Sequence, residues 1–195
     1  MLSLKFVSAL IILVVTLLSG FYPFFKKLTS TRSLDFPIGE ALACGVFLGA
    51  GLMHMLGDAC HQFYQQHLDY PLAFCLAGFT FLLLLFLEHV GKEIYFHDGA
   101  NSKSFALLAF FMLSIHSFLA GAALGLSSSL AVTMMIFLAI IAHKWAASFS
   151  LAMQITKSAI RFKSGALLFL IFSFMAPLGV LFGNEIGASL GHFPL

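Results

Sequence analysis

The sequence predicts an all-α fold, a polytopic bundle of six membrane-spanning helices in one domain over residues 1–195. Of the 195 residues, 61% are hydrophobic and only 9% are charged, whereas a soluble domain has about 25% charged residues. The mean hydropathy is +1.01. The apolar residues form six runs of about 20 residues, the length that a helix needs to cross a bilayer. Most of this chain is therefore expected to have lipid as its solvent.

Each apolar run is expected to be helical, because the bilayer interior holds no water to satisfy exposed backbone polar groups. A transmembrane barrel would instead show strands of about 10 residues with alternating polarity. No small-residue cleavage pattern follows the first run, so we expect a retained span and not a signal peptide. In chain order the predicted spans are residues 6–25, 37–59, 71–90, 105–126, 130–153 and 165–186.

Basic residues are concentrated in alternate linkers, which predicts the orientation. Eight of the ten lysines and arginines lie in the first, third and fifth linkers: Lys26, Lys27, Arg32, Lys92, Lys103, Lys157, Arg161 and Lys163. Positively charged loops stay in the cytoplasm, so both termini should face outside. We expect a multi-pass protein of the plasma membrane. The formal net charge of +2 is too small to indicate a nucleic-acid partner.

Two histidines are predicted to meet near the middle of the membrane. His116 lies about halfway along the fourth span and His143 about halfway along the fifth. The linker between these spans is only three serines, so the two helices must be antiparallel neighbours. Neutral imidazole is a good ligand for Zn, Cu, Fe and Ni. Two unrelated core histidines remain the alternative interpretation.

Lys144, two polar residues of the second span and one of the linker after it are the other candidates. A buried ammonium needs a partner, so Lys144 is expected either to pair with Asp58, Glu88 or Glu40, or to occupy the place of a second metal ion. His54 and Asp58 are spaced i, i+4 and should share one helix face. That face continues to His61, and it is either an entry funnel for cations or a solvated helix end.

Glycines four residues apart indicate where helices touch, because that spacing lets backbones approach closely in lipid. The pairs are Gly45 with Gly49, Gly121 with Gly125, and Gly179 with Gly183. Pro177 is expected to bend or break the sixth helix. Lys5, near a helix end, is expected to snorkel to the surface. The three cysteines show no CxxC spacing and indicate neither a disulfide framework nor a zinc knuckle.

Four segments resemble motifs of the ZIP (Zrt/Irt-like) metal transporters, in the expected order. The fourth span reads HSFLAGAALG from His116, similar to HSxxxGxxxG. The fifth reads HKWAASFSL from His143, similar to HKxxxxxSLxL of the animal-type branch. The second reads GVFLGAGLMHMLGD from Gly45, similar to GVFLAxxxxHxLPD. The sixth reads MAPLG from Met175, similar to TPLG.

The resemblance implies uptake of a divalent metal ion, usually zinc, into the cytoplasm by alternating access, with the ion as substrate and no prosthetic group. It implies a central metal site between the fourth and fifth helices, with His116 and His143 as ligands and Ser117 as a weaker one. Small residues around Gly121 and Gly125 would let the helices slide. The ion would enter past His54, Asp58 and His61 and leave near Glu40.

Three departures from the family pattern bear on this expectation. Ala120 and Ala147 stand where many members carry a carboxylate. Lys144 replaces a ligand of a second metal position, which suggests one ion and not two. The family has eight spans and this chain has six predicted ones. It is therefore interpreted as a fragment or short isoform, or as a chain completed by partner chains.

Three other functions are alternatives to metal transport. A haem protein could use His116 and His143 as axial ligands. An intramembrane protease is disfavoured because GxSG, HExxH and GxGD are all missing from the sequence, so we do not expect an enzyme. A non-transporting relative could regulate a full-length ZIP partner. The expected partners are thus the metal ion, the bilayer, and either a second copy of the chain or a full-length ZIP protein.

Overall fold

A computed structural model describes residues 2–25, 37–65, 71–95, 101–158 and 160–190. The described part contains helices and no strand, which confirms the all-α prediction. The α-helices are α1 (Leu2–Phe25), α2 (Pro37–Gly49), α3 (Leu56–Gln65), α4 (Leu72–Tyr95), α5 (Asn101–Leu126), α6 (Leu130–Lys157) and α7 (Phe162–Leu190). A π-helical segment, Ala50–Met55, joins α2 to α3. Because α2, the π-helical segment and α3 follow one another without a gap, the elements form six continuous helical rods.

Five of these rods are long and apolar enough to cross a membrane, at Ser3–Phe24, Ala41–Gln65, Phe105–Leu126, Leu130–Lys157 and Phe162–Ser189. The apolar part of α4, Leu72–Phe86, is shorter. The chain is thus a multi-pass membrane protein in its described part. A third span at residues 71–90, and the extent of a single domain over residues 1–195, stay predictions.

Four helices form the centre of the molecule. α1 packs on α6 and α7, and α5 packs on α7 and α6. The remaining helices lie at the margin, with α2 against α6 and α4 against α5. Large apolar side chains such as Phe79, Leu82 and Phe86 of α4 are exposed, as is expected of a surface that faces lipid.

Two apolar clusters fill the interior, one toward each end of the four central helices. We name them after their fully buried members. The Ile12 cluster contains Ala9, Ile12, Leu124, Ile140, Ala176 and Val180. The Phe172 cluster contains Phe110, Leu151, Ala152, Ile155, Phe169 and Phe172. The middle of the bundle, between these clusters, is where polar side chains are buried.

A glycine seam joins α5 to α7. It consists of Gly121 and Gly125 on α5 and of Gly179 and Gly183 on α7. A Cβ atom at any of the four would collide with a backbone carbonyl oxygen of the opposite helix. The predicted close approach is confirmed for these two pairs. The prediction is wrong for the pair on α2, since a Cβ at Gly45 or Gly49 would meet no atom of the described chain within 4 Å.

Two further expectations are corrected. The predicted break at Pro177 is wrong, since α7 continues through it, because a membrane helix tolerates the loss of one backbone hydrogen bond when neighbouring helices pack around it; a bend there stays a prediction. Lys5 does not snorkel, since its side chain is only 9% exposed. Its Nζ donates to the carbonyl of Gly125 and lies 3.5 Å from Asn184 Oδ1. The last turn of α5 leaves such carbonyls without helical partners, and Lys5 fills that need.

Candidate metal site

A tight turn brings the two histidine-bearing helices together. Ser127 Oγ donates to the carbonyl of Leu124 at 2.7 Å and lies 2.7 Å from Thr133 Oγ1. Ser129 caps α6, because its Oγ accepts the backbone N–H of Val132 at 3.2 Å. Such a cap satisfies one of the unpaired donors at a helix start. The chain therefore reverses within three residues, and α5 and α6 run antiparallel with matched depths.

The two imidazoles meet across this helix pair. His116 Nε2 lies 3.5 Å from His143 Nε2, and the ring centroids are 5.6 Å apart with the ring planes tilted by 48°. His143 is buried and His116 is partly buried. The sequence-based expectation that these rings share one depth agrees with this geometry.

The separation of the two nitrogens suits a shared metal ion. A zinc–nitrogen bond is about 2.0–2.1 Å long, so two nitrogens on one tetrahedral zinc lie about 3.3 Å apart. The observed Nε2 separation is 3.5 Å. A shift of a few tenths of an ångström would bring both atoms into the first coordination sphere of one ion.

A small cavity of about 10 Å³ adjoins the histidine pair. Its polar wall is formed by His116, Ser117, His143 and Lys144. The rest of the wall is apolar: Leu113, Ala120, Ile140, Ala147, Phe172 and Ala176. A volume of about 10–15 Å³ accommodates one water molecule. The space therefore suits one dehydrated ion or one water, and a haem does not fit.

Lys144 has a hydroxyl and an aromatic face as its neighbours. Its Nζ donates to Ser117 Oγ and lies 4.1 Å from the centroid of the Phe172 ring, and its side chain is 4% exposed. A ring face attracts an ammonium group. The sequence pointed instead to a carboxylate. Asp58 is exposed on α3, and the side chains of Glu40 and Glu88 lie outside the described part.

The candidate entry residues lie apart from the central cavity. His54 is in the π-helical segment, and its side chain lies outside the described part. Asp58 and His61 are exposed on α3, and neither lines the cavity between α5 and α6. His61 Nε2 is 2.8 Å from Gln65 Nε2. The i, i+4 argument for His54 and Asp58 assumed a regular α-helix, whereas a π turn is wider.

An open cleft reaches His143 from another side. It has a volume of about 340 Å³ and lies between α2 with the start of the π segment and α6, lined by Val46, Ala50, Ala139, Ala142 and His143. His143 thus lines both the small cavity and this cleft.

The sequence did not predict that Val46 and Ala50 line the cleft or that Phe172 lines the cavity, because small or apolar side chains have no chemistry that marks them as site residues.

The protein supplies few ligands at this point. Within the described ranges, no three His, Cys, Asp or Glu residues come together as a group that could hold a metal ion. Ser117 Oγ already accepts a hydrogen bond from Lys144, although a hydroxyl oxygen has a second lone pair. Zinc prefers four ligands, so two positions would be left for water or for side chains outside the described part.

Comparison with known proteins places the chain in a sequence family. The family described as "ZIP Zinc transporter" matches residues 2–105 and 96–191. Human zinc transporter ZIP2 is 25% identical over 195 residues, which cover 74% of this chain and 63% of that protein. Protein zntD of Dictyostelium discoideum is 31% identical over 109 residues, 55% of this chain and 15% of that protein.

Mouse zinc transporter ZIP2 is 24% identical over 247 aligned positions, which cover 97% of this chain and 80% of the mouse protein. No solved structure matches the chain at a significant level. The match to human ZIP2 covers 63% of that protein, so the chain spans less than two thirds of its length.

Proposed function

The chain belongs to the ZIP zinc transporter family, and on this premise we propose that it carries a divalent metal ion, zinc first, across a membrane into the cytoplasm. The observation that carries the proposal is the pair of imidazole nitrogens 3.5 Å apart inside a bundle of apolar helices. The zinc transporters of human and mouse that resemble the chain support zinc as the first cargo to test. The reaction is movement of an ion, and it requires no prosthetic group.

A coordination shell with only two protein ligands suits a transported ion better than a permanently bound structural ion. Structural zinc sites close the shell with four protein ligands. A conducted ion must instead bind well enough to enter and weakly enough to leave. His116 and His143 would hold the ion at mid-membrane, and water would complete the shell. The Lys144 side chain fills the neighbouring space, so we propose one ion per cycle.

We propose that the ion gains access to the histidine pair through the cleft between α2 and α6. The Ile12 and Phe172 clusters fill the bundle above and below the histidine pair, which leaves only a small cavity between them. The cleft reaches His143 and is bounded by a marginal helix. Movement of α2 relative to α6 would open the pair first to one side and then to the other. In this proposal Asp58 and His61 collect the ion outside, His54 passes it inward, and it leaves near Glu40.

The test is uptake of radioactive zinc into proteoliposomes that contain the purified chain. The double variant His116→Ala, His143→Ala should reduce uptake to the level of empty vesicles, because both protein ligands are removed. His89→Ala is the matched control, since His89 is an exposed histidine of α4 and its loss should leave uptake unchanged. Zinc binding to the same preparations is measured separately by competition with a chelator.

The two readouts separate the proposal from its main rival. If zinc binds through the histidine pair but no uptake exceeds that of empty vesicles, the chain is a metal-binding relative that serves a full-length partner. Uptake that survives in the double variant would refute the proposed site. Zinc binding equal in the wild-type chain and the double variant would refute the role of the histidines altogether.

A further inference from the structure

An apolar groove runs along the outside of the bundle between α1 and α7. Its volume is about 420 Å³, which lies within the range of roughly 300–1,000 Å³ typical of small-molecule sites. Every lining side chain is a hydrocarbon: Leu17, Phe21, Phe24, Phe162, Ala166, Phe169 and Leu170. Such a surface matches an alkyl chain and offers no partner for a polar ligand.

Aromatic packing holds the walls of the groove in place. The Phe24 ring stands edge-on to Phe162, with centroids 6.1 Å apart, and to Phe169, with centroids 5.4 Å apart. Gly20 of α1 lies directly against the Phe169 ring, so this ring rests on the backbone of α1. Packed aromatic rings of this kind prefer such edge-to-face arrangements. The groove is therefore a preformed feature of the bundle.

Two basic residues adjoin, in the sequence, the phenylalanine at one end of the groove. Phe162, the first residue of α7, lies between Arg161 and Lys163, and both of these side chains are exposed. Arg161 and Lys163 belong to a linker that the charge pattern assigns to the cytoplasmic side. A guanidinium group binds a phosphate through two parallel hydrogen bonds, and basic pockets between membrane helices recognise anionic headgroups.

We propose that this groove is a binding site for an anionic phospholipid of the cytoplasmic leaflet. One acyl chain lies along Phe21, Ala166 and Leu170, and the headgroup phosphate meets Arg161 and Lys163. The charges select this ligand, because a zwitterionic lipid carries its own cation and would leave the two basic groups unneutralised. The site is separate from the histidine pair, and the inference does not depend on metal transport.

The test uses a tryptophan in the groove and lipids whose acyl chains carry bromine, which quench nearby tryptophan fluorescence. The single native tryptophan is removed by Trp145→Phe, and Phe21→Trp supplies the reporter. The chain is reconstituted in phosphatidylcholine vesicles that contain 10 mol%, about one lipid in ten, of phosphatidylglycerol. Bromine is placed either on the phosphatidylglycerol or on an equal fraction of the phosphatidylcholine. Preferential binding predicts stronger quenching by the brominated phosphatidylglycerol.

A second reporter shows whether charge alone explains the preference. Phe105→Trp, in the same background, places tryptophan at an exposed position near Lys103 at the basic end of α5, away from the groove. Its preference for phosphatidylglycerol should be weaker than that of the groove reporter. Arg161→Gln or Lys163→Gln should each lower the preference of the groove reporter by up to about fivefold, the usual contribution of one basic residue at an anionic surface.

Ala166→Phe fills the groove and should remove the preference while leaving quenching by bulk lipid, which also shows that the variant is inserted. Equal quenching by the two brominated lipids, or equal preference at the two reporters, would overturn the proposal. So would a preference that survives Ala166→Phe. A groove reporter that neither lipid quenches would mean that protein, and not lipid, covers the groove, and would also overturn it.

Discussion

At the scale of single residues, we expect the buried lysine to weaken the binding of a cation at the proposed site. Lys144 is next to His143 in sequence and lines the same cavity as both histidines. Its ammonium group is stabilised by Ser117 and by the ring of Phe172. When Lys144 is protonated, the cavity contains a positive charge before any metal ion enters. Binding of a divalent ion must then overcome that repulsion.

We predict that Lys144→Met tightens zinc binding by at least about tenfold, because charges a few ångströms apart repel by more than about 1 kcal/mol even at a high effective dielectric constant. Methionine preserves the length and fits beside Phe172. The measurement is chelator competition on the purified chain. Lys103→Met, at an exposed position of α5, is the control and should leave the affinity unchanged. Weaker binding in Lys144→Met would show that the lysine supports the site and does not oppose the ion.

The sequence was sufficient to predict the histidine pair, since a three-serine linker forces two neighbouring helices to align His116 with His143. It was insufficient for the surroundings of Lys144. Charge rules point to carboxylate partners, whereas the packing of α7 supplies Phe172. A contact between residues of distant helices depends on helix rotation, and a single sequence with weak amphipathicity does not specify that rotation. For the same reason the lining of the α2–α6 cleft was not predicted.

At the scale of helices, the glycine seam is the tightest contact in the bundle. Carbonyl oxygens of Ala176 and Val180 occupy the places where Cβ atoms of residues 121 and 125 would lie, and the carbonyls of Phe118 and Ala122 do the same for residues 179 and 183. The spacing of glycines predicted this contact, but it also predicted one for Gly45 and Gly49. Glycines four residues apart indicate that two helices can approach closely, but the fold determines which of these glycine pairs lies at a helix contact.

We predict that Gly121→Ala destabilises the protein by about 1–3 kcal/mol, the usual cost of overpacking a filled interior. The matched control is Gly45→Ala, at a helical position with free space around it. That change should be neutral or stabilising by up to about 1 kcal/mol, because alanine loses less backbone entropy in a helix. Thermal unfolding of both variants in the same detergent is the measurement. Equal effects would mean that the seam does not limit helix approach.

The π-helical segment is the element that the sequence did not indicate. Ala50–Met55 interrupts an otherwise regular helix beside the cleft that reaches His143. Apolar periodicity assumes 3.6 residues per turn, so a local widening leaves no mark in the composition. Its effect is to rotate the face that carries Asp58 relative to the face of α2 that carries Val46. Such segments often occur at functional sites, which supports the placement of the moving contact at α2.

At the scale of the whole molecule, the charge pattern predicts one orientation. Since the first basic linker and part of the third lie outside the described ranges, this orientation rests on the sequence. We predict that an impermeant thiol reagent added to intact cells labels Gln62→Cys of α3 and spares Lys103→Cys of α5, in a background without the three native cysteines. Both positions are exposed, so accessibility differs only by the side of the membrane. Labelling of Lys103→Cys alone would reverse the orientation.

The number of membrane spans is also a property of the whole molecule. Length and hydropathy were sufficient to predict five helices that can cross a membrane. In α4, a helix of 24 residues, the apolar stretch found among the described side chains is Leu72–Phe86, and a third span at residues 71–90 stays a prediction.

The glycine seam has a final consequence for the bundle as an electrical barrier. Along α5 and α7 the two backbones touch, so that stretch has no room for a file of water or for a hydrated ion. Within the described helices it therefore insulates one side of the histidine pair, and a leak of ions is expected on the α2 side, where the open cleft reaches His143. If the chain carries ions as proposed, sealing that cleft is the step that protects the ion gradients of the membrane.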